Sequence, residues 1–171
     1  MHHYRFCPFC AGTLRRVIEG RAIRFDCQVC GQPMYENARP CAGALVVREG
    51  KVLLGRRAID PNRGWWDIPG GFLEFDELPY DGAIREVREE TGLQVRPIEL
   101  IGMWVKPYGL GDHTVWTLNH YYLAEVLAGD PRAADDLAEL AWFGPDELPT
   151  EMAFEHEIEV LGCWRTGERR L

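Results

Sequence analysis

The sequence predicts an α+β protein in which a mixed β-sheet is sandwiched between helices and a small β module precedes the sheet. Strand-like segments lie on both sides of one central helical segment, and a second helical segment follows near the end of the chain. An N-terminal stretch has its own hairpin pattern and two pairs of cysteines. We therefore expect two units, residues 1–38 and residues 39–171.

The first unit carries four of the six cysteines. Cys7 and Cys10 form one Cys-x-x-Cys pair, Cys27 and Cys30 form the other, and sixteen residues separate the pairs. This is the spacing of ligands to tetrahedral Zn²⁺, and residues 14–25 alternate enough to form a hairpin between the pairs. A segment of about 35 residues lacks an adequate core, so we predict a zinc ribbon whose metal contributes directly to folding.

Two other interpretations of these cysteines, a redox dithiol and a pair of disulfides, fit the repeated spacing less well. Cys10 is followed by Ala11 and Gly12, where a zinc knuckle usually has glycine first. That departure is expected to distort one turn at most, because it removes no ligand. Cys41 and Cys163 lie outside the pattern and are expected to be buried free thiols.

The second unit begins after residues 35–40, where polar residues and a proline interrupt the pattern. We expect, in chain order, two strands of a hairpin, a loop rich in turn residues, a helix, two long strands, one more strand and a C-terminal helix. The predicted ranges are 41–47, 51–54, 56–64, 79–91, 98–105, 114–127, 138–143 and 154–164.

The central helix carries the main functional signal. Pro79 suits its first turn and Gly92 suits its C-terminal cap. Glu86, Glu89 and Glu90 then project from neighbouring turns of one surface. Three anions in this arrangement need a cation, and Mg²⁺ or Mn²⁺ prefers oxygen ligands that it shares with substrate phosphates.

The same segment resembles the Nudix box, which is a glycine, five residues, Glu, seven residues, Arg-Glu, an aliphatic residue, any residue, Glu-Glu, any residue, Gly and an aliphatic residue. Residues 66–70 also resemble the usual entry to that box. The alternative, an exposed amphipathic helix, explains neither the glycine nor the glutamate upstream. The fixed positions are filled by Gly71, Glu77, Arg85, Glu86, Val87, Glu89, Glu90, Gly92 and Leu93.

The resemblance implies a Nudix α/β/α sandwich and metal-dependent hydrolysis of a phosphoric anhydride. Arg85 precedes Glu86 and lies four residues before Glu89, so we expect it to orient a carboxylate by a bidentate pair, and we expect Glu77 to face the same pocket. In the family the general base is either a glutamate of the box or one on a later loop. Outside the box Glu139 is our candidate, because it lies in a strand that resembles the family's late strand, whereas Asp135 and Asp136 fit a solvated acidic turn better. The expected metal ligands are Gly71, Glu86, Glu89 and Glu90.

Residues that contact the substrate are harder to predict. Arg56 and Arg57 can meet a phosphate, and large aromatic residues can stack on a base, although aromatics in strands are more often core residues. Tyr108 is preferred among them because its loop is rich in glycine, and His113 is expected to be a bystander. The predicted substrate contacts are Arg56, Gly70, Gly71, Trp104 and Tyr108; Trp65 and Trp116 are further candidates.

A zinc ribbon followed by a Nudix domain resembles NADH pyrophosphatases and the ADP-ribose or FAD pyrophosphatases with a similar ribbon. The NADH-type array of Gln, Pro, Trp, Phe and Ser after the box is absent from this chain, where residues 103–108 are Met-Trp-Val-Lys-Pro-Tyr. We therefore expect a nucleoside diphosphate linked to another group, with ADP-ribose or FAD ahead of NADH. A house-cleaning nucleoside triphosphatase and a non-catalytic nucleotide sensor stay open.

Composition narrows the partners. The chain of 171 residues has a net charge of −8, which disfavours a broad surface for nucleic acid or anionic membranes, although Arg15, Arg16, Arg21 and Arg24 keep nucleic acid open. No apolar run approaches the roughly 20 residues that cross a bilayer, and no secretory signal is evident, so we expect a cytoplasmic protein. A homodimer braced by the ribbon is a further hypothesis.

Overall fold

The computed structural model describes residues 4–20 and 22–170. Within these ranges two β-sheets and two α-helices form, which confirms the predicted α+β class with a mixed sheet. Arg21 and residues 1–3 of the predicted ribbon lie outside the described residues. No helix in the described part of the chain is long and apolar enough to cross a membrane.

The N-terminal unit is a three-stranded antiparallel sheet of β1 (Leu14–Glu19), β2 (Ala22–Cys27) and β3 (Pro33–Tyr35). The first two strands form the predicted hairpin, whereas β3 is too short to give a sequence pattern. Among its described residues, only Phe25 and two of the cysteines, Cys7 and Cys27, are buried. The unit therefore has almost no apolar core.

The larger unit contains the elements β4 (Arg39–Arg48), β5 (Lys51–Arg57), β6 (Trp66–Asp67), β7 (Gly70–Phe72), α1 (Pro79–Thr91), β8 (Gln94–Tyr108), β9 (Val115–Ala128), β10 (Leu137–Phe143) and α2 (Glu155–Thr166). Its strands form a second sheet in the order β10-β5-β4-β9-β8, with the short strands β6 and β7 paired to β5 and β4. Strands β4 and β9 run parallel and the other pairs antiparallel, which makes the sheet mixed.

Alternation along β4 divides the core between the two faces of this sheet. Leu45 packs in one buried cluster with Val160 of α2, whereas Val46 packs in another with Ala83 and Val87 of α1. One helix therefore covers each face, which is the α/β/α sandwich. The two helices lie close to their predicted ranges, and α1 occupies residues 79–91 as predicted.

Two predictions about this unit need correction. The range 56–64 is not all loop, because β5 continues to Arg57 and pairs with β6 and β10. Trp104 is only 2% exposed and belongs to the core beside Tyr121, and its indole Nε1 donates to Glu159 at 3.0 Å. Its burial leaves no ring face for a substrate, so we withdraw its predicted role in stacking.

Gly162 offers a test of helix α2. Its Cβ position meets no atom within 4 Å, and its backbone is not in the left-handed region. We expect Gly162→Ala to raise the free energy of unfolding by about 0.5–1 kcal/mol, because alanine loses less backbone entropy in a helix. Equilibrium urea unfolding measures the change, and a destabilised variant would contradict the packing of α2 described above.

Candidate active site

Helix α1 positions the carboxylates of the site. Gly92 caps its end in the left-handed conformation (φ 73°), and its N–H donates to the carbonyl of Arg88 at 2.9 Å. Ala83 and Val87 are fully buried against the sheet. This orientation brings Glu86, Glu89 and Glu90 to the rim and floor of a cleft of about 340 Å³.

The cleft is strongly acidic along one part of its lining. Seven carboxylate side chains line it against two arginines. The carboxylates are Asp67, Glu74, Glu86, Glu89, Glu90, Asp135 and Asp136, and the arginines are Arg57 and Arg85. The excess of negative charge matches a site that shares a divalent cation with an anionic substrate.

Arg85 organises the carboxylates of α1. Its Nε and Nη2 donate to the two oxygens of Glu77 at 2.8 and 2.7 Å, and its Nη1 donates to Glu86 at 2.8 Å and to Glu89 at 3.0 Å. Its Nη2 also donates to the carbonyl of Phe72 at 3.0 Å. Such a fork of fixed donors orients its partners. Glu77 anchors the arginine and is not among the residues that line the cleft.

The two glycines of strand β7 allow close approach. A Cβ on Gly71 would lie 2.5 Å from Glu86 Oε1, whereas a Cβ on Gly70 would lie 2.5 Å from the Gly43 Cα and 2.6 Å from the carbonyl oxygen of Ala42. The Gly70 N–H donates to Glu90 Oε2 at 2.9 Å. Both glycines line the cleft, so backbone rather than side chain faces the α1 carboxylates here.

The contrast between these glycines makes a testable prediction. Gly71→Ala should lower kcat/KM about a hundredfold with a nearly unchanged melting temperature, because the methyl group displaces the Glu86 carboxylate, a movable side chain. Gly70→Ala should instead lower the melting temperature, because its methyl group meets backbone. Steady-state kinetics and thermal unfolding of both variants measure this difference, and full activity in Gly71→Ala would contradict the placement of Glu86.

Burial disfavours the charged forms of two of the α1 carboxylates, Glu86 and Glu90. Burial raises the pKa of Glu90 to about 9, with Asp67 and Glu86 adding to the effect, and burial also raises the pKa of Glu86. A bound cation would offset the cost of burying these ionised carboxylates and would favour their charged forms. Arg85 fixes Glu86 and Glu89 through one shared donor atom, and the Gly70 N–H fixes Glu90. In the described part of the chain only the four cysteines form a group whose ligand atoms all lie within 4.8 Å of one another.

Several predicted site residues lie outside the cleft. Arg56 and Glu139 form an ion pair with each other at 3.1 Å, and the Arg56 guanidinium lies 4.8 Å from the centroid of the Trp66 ring. Neither residue lines the cleft, so we assign neither to the site; Trp104 is in the core as described above. Trp65, Trp116 and His113 are exposed and do not line the cleft. Tyr108, Gly70 and Gly71 do line it.

Sequence reasoning missed part of the lining. Arg57 rather than Arg56 lines the cleft, and its Nη1 lies 2.5 Å from Asp67 Oδ2. Side-chain alternation along a strand would have indicated that only one of two successive arginines can reach a given face. The other lining residues that were not predicted include Thr117, Asn119, Tyr121, Phe154 and His156. Asp135 and Asp136, considered above as a solvated turn, also line the cleft.

The second site lies in the ribbon. The thiol sulfurs of Cys7 and Cys30 are 3.8 Å apart, those of Cys10 and Cys27 are 3.4 Å apart, and all four lie within 4.8 Å of one another. Four thiolates at the usual bond length around tetrahedral Zn²⁺ would be about 3.8 Å apart, so the cluster fits zinc. All four are free cysteines.

Backbone amides support the thiolates of the ribbon. Val29 and Cys30 each donate an N–H to Cys27 Sγ at 3.4 Å, which lowers the pKa of the Cys27 thiol to about 6. In the first knuckle Ala11 adopts φ 59°, the left-handed conformation that Gly31 takes at the matching place with φ 71°. The alanine therefore follows the glycine backbone, and no ligand is lost.

Comparisons with known proteins place this architecture in a family. The NUDIX domain family model matches residues 37–161. The chain is 29% identical over 136 residues to an ADP-ribose pyrophosphatase of Methanocaldococcus jannaschii, which covers 78% of this chain and 79% of that protein. It is 31% identical over 152 residues to the NAD-capped RNA hydrolase NudC of Vibrio parahaemolyticus, 85% of this chain but only 53% of that protein.

A solved structure extends the likeness over both units. The crystal structure of a NUDIX hydrolase from Nitrosomonas europaea superposes with a TM-score of 0.80 at 28% identity, and the match covers 98% of this chain and 96% of that one. The family match spans strands β4 to β10, helix α1 and the cleft carboxylates. The chain thus belongs to the Nudix hydrolase family and is an enzyme that acts on phosphoric anhydrides.

Proposed function

We propose that this enzyme hydrolyses the pyrophosphate bond of a nucleoside diphosphate linked to another group, with ADP-ribose or FAD ahead of NADH, and releases two monophosphates. The observation that carries the proposal is the division of one cleft into an acidic part on α1 and an aromatic part formed by Phe72, Tyr108 and Phe154. The first part suits a metal-bound diphosphate and the second suits a flat ring. The names of the relatives, ADP-ribose pyrophosphatase and NAD-capped RNA hydrolase, support the same class.

We propose that Mg²⁺ or Mn²⁺ is held by the Gly71 carbonyl and the carboxylates of Glu86, Glu89 and Glu90. The donor set fits, since all of these ligands are hard oxygens and their charge exceeds that of the nearby arginine. Bound metal would neutralise phosphate charge and lower the pKa of a coordinated water. Arg85 keeps Glu86 and Glu89 in place before the metal binds.

The base that takes a proton from the attacking water is proposed to be Asp135 or Asp136. Both line the cleft from the segment before β10, whereas Glu139 is exposed and paired with Arg56. Asp135→Asn and Asp136→Asn, each assayed over a range of pH, identify the base as the residue whose loss removes the acidic limb of the rate profile. Unchanged profiles in both variants would return this role to a glutamate of the box.

The ribbon is proposed to hold one structural Zn²⁺ at Cys7, Cys10, Cys27 and Cys30. A cytoplasmic location stays a prediction. A homodimer braced by the ribbon also stays a prediction, and light scattering at micromolar protein concentration tests it.

A hydrolysis panel tests the reaction. ADP-ribose, FAD, NADH, capped dinucleotides and normal and oxidised nucleoside triphosphates are incubated with enzyme and Mg²⁺, and products are identified by mass. We expect two monophosphates from one diphosphate-linked compound, and turnover lower by about a thousandfold or more in Glu90→Gln. Pyrophosphate release from a triphosphate would instead assign the enzyme to house-cleaning, and binding without any turnover would support the nucleotide sensor.

A further inference from the structure

The aromatic part of the cleft has the shape of a ring-binding surface. Phe72 and Tyr108 meet edge to face with ring centroids 5.4 Å apart, and the Phe154 ring lies 5.5 Å from Tyr108 at a tilt of 38°. Phe72 is 39% exposed, so part of its ring is open to a ligand. These three residues, called the aromatic lining below, present a surface on which a nucleobase can stack.

The neighbouring arginine does not turn this region into a phosphate site. Arg57 is 6% exposed and pairs with Asp67, and its Nε donates to the carbonyl of Pro61 at 2.7 Å. Its guanidinium lies 5.2 Å from the centroid of Phe154, and its Nη2 lies 3.5 Å from the Tyr108 hydroxyl. The arginine therefore braces the aromatic lining, and its charge is already neutralised.

A directed chain of hydrogen bonds fixes the amide of Asn119 in the same cleft as this surface. Asn119 lies opposite Cys41 of β4, and Cys41 lies opposite Phe72 of β7. Asn119 Nδ2 donates to the carbonyl of Trp104 at 3.2 Å and to Thr117 Oγ1 at 2.9 Å, and Thr117 Oγ1 donates in turn to the carbonyl of Lys106 at 3.0 Å. Backbone carbonyls accept hydrogen bonds and cannot donate them, so a flipped amide would set oxygen against oxygen. The amide group can therefore adopt only one orientation.

In this orientation the side-chain oxygen of Asn119 has no hydrogen-bond donor among the described residues. Asn119 is 8% exposed and lines the cleft, both hydrogens of its Nδ2 are used, and no described group donates to its Oδ1. An acceptor held in this way favours a ligand that places an N–H or O–H donor against it. It disfavours a ligand that places another oxygen there, because two acceptors would then face each other without a hydrogen bond.

We propose that Asn119 Oδ1 accepts a hydrogen bond from the amino group of an adenine base that stacks on the aromatic lining, so that this residue sets the base preference of the enzyme. The inference rests on the proposed function in that the substrate is a nucleotide. Thr117 acts through Asn119 and is a positioning residue. The chain thereby prefers adenosine diphosphate compounds over those with a carbonyl at the same ring position.

Binding of AMP and IMP tests the proposal without any turnover. IMP has a carbonyl at the ring position where AMP has its amino group, and the two nucleotides share the same phosphate and ribose. Calorimetry on the whole chain with Mg²⁺ should show AMP binding at least about tenfold more tightly than IMP. Equal affinities for the two nucleotides would overturn the proposal.

Variants locate the preference. Asn119→Ala should weaken AMP binding about tenfold and leave IMP binding unchanged or tighter, because alanine removes the acceptor that opposes the IMP carbonyl. Retained IMP binding also reports that the cleft is still folded. Trp116→Ala is the matched control, since Trp116 lies on the same strand, is 58% exposed and does not line the cleft. An undiminished preference for AMP in Asn119→Ala would overturn the role of Asn119.

A second pair of variants tests the stacking surface and does not depend on the folding of Asn119→Ala. Phe72→Ala should weaken AMP and IMP binding to a similar extent, about tenfold, whereas Phe75→Ala, at a residue 98% exposed and outside the cleft, should change neither. Equal binding by wild type and Phe72→Ala would overturn the aromatic part of the proposal.

The outcomes separate this inference from the proposed reaction. A preference for AMP without cleavage of any diphosphate-linked compound would overturn the reaction and leave base recognition standing. Cleavage of ADP-ribose and of its deaminated inosine analogue at equal kcat/KM would overturn base recognition and leave the reaction standing.

Discussion

Replacing Glu90 with glutamine should lower kcat about a thousandfold or more, which corresponds to about 4 kcal/mol of lost transition-state stabilisation. The carboxylate is 5% exposed in the floor of the cleft, close enough to Asp67 and Glu86 that their charges raise its pKa further. Glutamine keeps an oxygen for the Gly70 N–H but removes the negative charge that a divalent cation requires. Single-turnover kinetics with the substrate found in the panel measure the loss.

The melting temperature of Glu90→Gln should not fall along with its activity. A carboxylate in this position costs desolvation energy that a neutral amide avoids, so the metal-free variant should melt at the same temperature as the wild type or above it. Asp81→Asn is the matched control, because Asp81 lies on the same helix but is exposed and outside the cleft. Wild-type turnover in Glu90→Gln would remove Glu90 from the metal site, and a collapse of its melting temperature would make the residue structural.

Local signals explain what the sequence predicts well. The limits of α1 follow from Pro79 and Gly92, which act within one turn of the chain, and the four ribbon cysteines follow from spacing alone. Gly71 is predictable for a similar reason, because it belongs to the same Nudix-box segment as Glu86, the carboxylate that it approaches. Each of these features depends on residues that are near one another in sequence.

The remaining features depend on pairing between distant segments. Strands β6 and β7 have two and three residues and exist only because they pair with β5 and β4. Asn119 comes beside the cleft because β9 runs parallel to β4, with Asn119 opposite Cys41, a contact that no local pattern indicates. Phe154 precedes α2 and reaches the cleft only after that helix packs on the sheet.

Two successive positions on β5 illustrate the same limit. Arg56 and Arg57 have identical side chains, yet one pairs with Glu139 outside the cleft and the other pairs with Asp67 inside it. Sequence identifies both as phosphate candidates, and the register of β5 against β10 decides between them. The residue type therefore identified both arginines as phosphate candidates, but it did not indicate which of the two side chains points into the cleft.

Removal of zinc from the ribbon should unfold that unit and leave the sandwich intact. The three strands of the ribbon have only one buried side chain, Phe25, besides cysteines among the described residues, whereas the sandwich has an apolar cluster on each face of its sheet. Structural zinc in such modules contributes about 10 kcal/mol or more of folding free energy. Cys27→Ser should therefore lower bound zinc from the proposed one ion per chain to a small fraction of that.

Hydrogen exchange separates the two units in that experiment. Amides of β1 and β2 should lose protection in Cys27→Ser, while amides of β4 and β9 should stay protected, because the cysteine cluster found among the described residues lies wholly in the ribbon. Cys163→Ser is the control, since Cys163 lies on α2 outside the cluster and its loss should leave zinc and protection unchanged. Protected ribbon amides in a zinc-free variant would show that hairpin pairing alone holds the unit together, and the thiolates would then need another role.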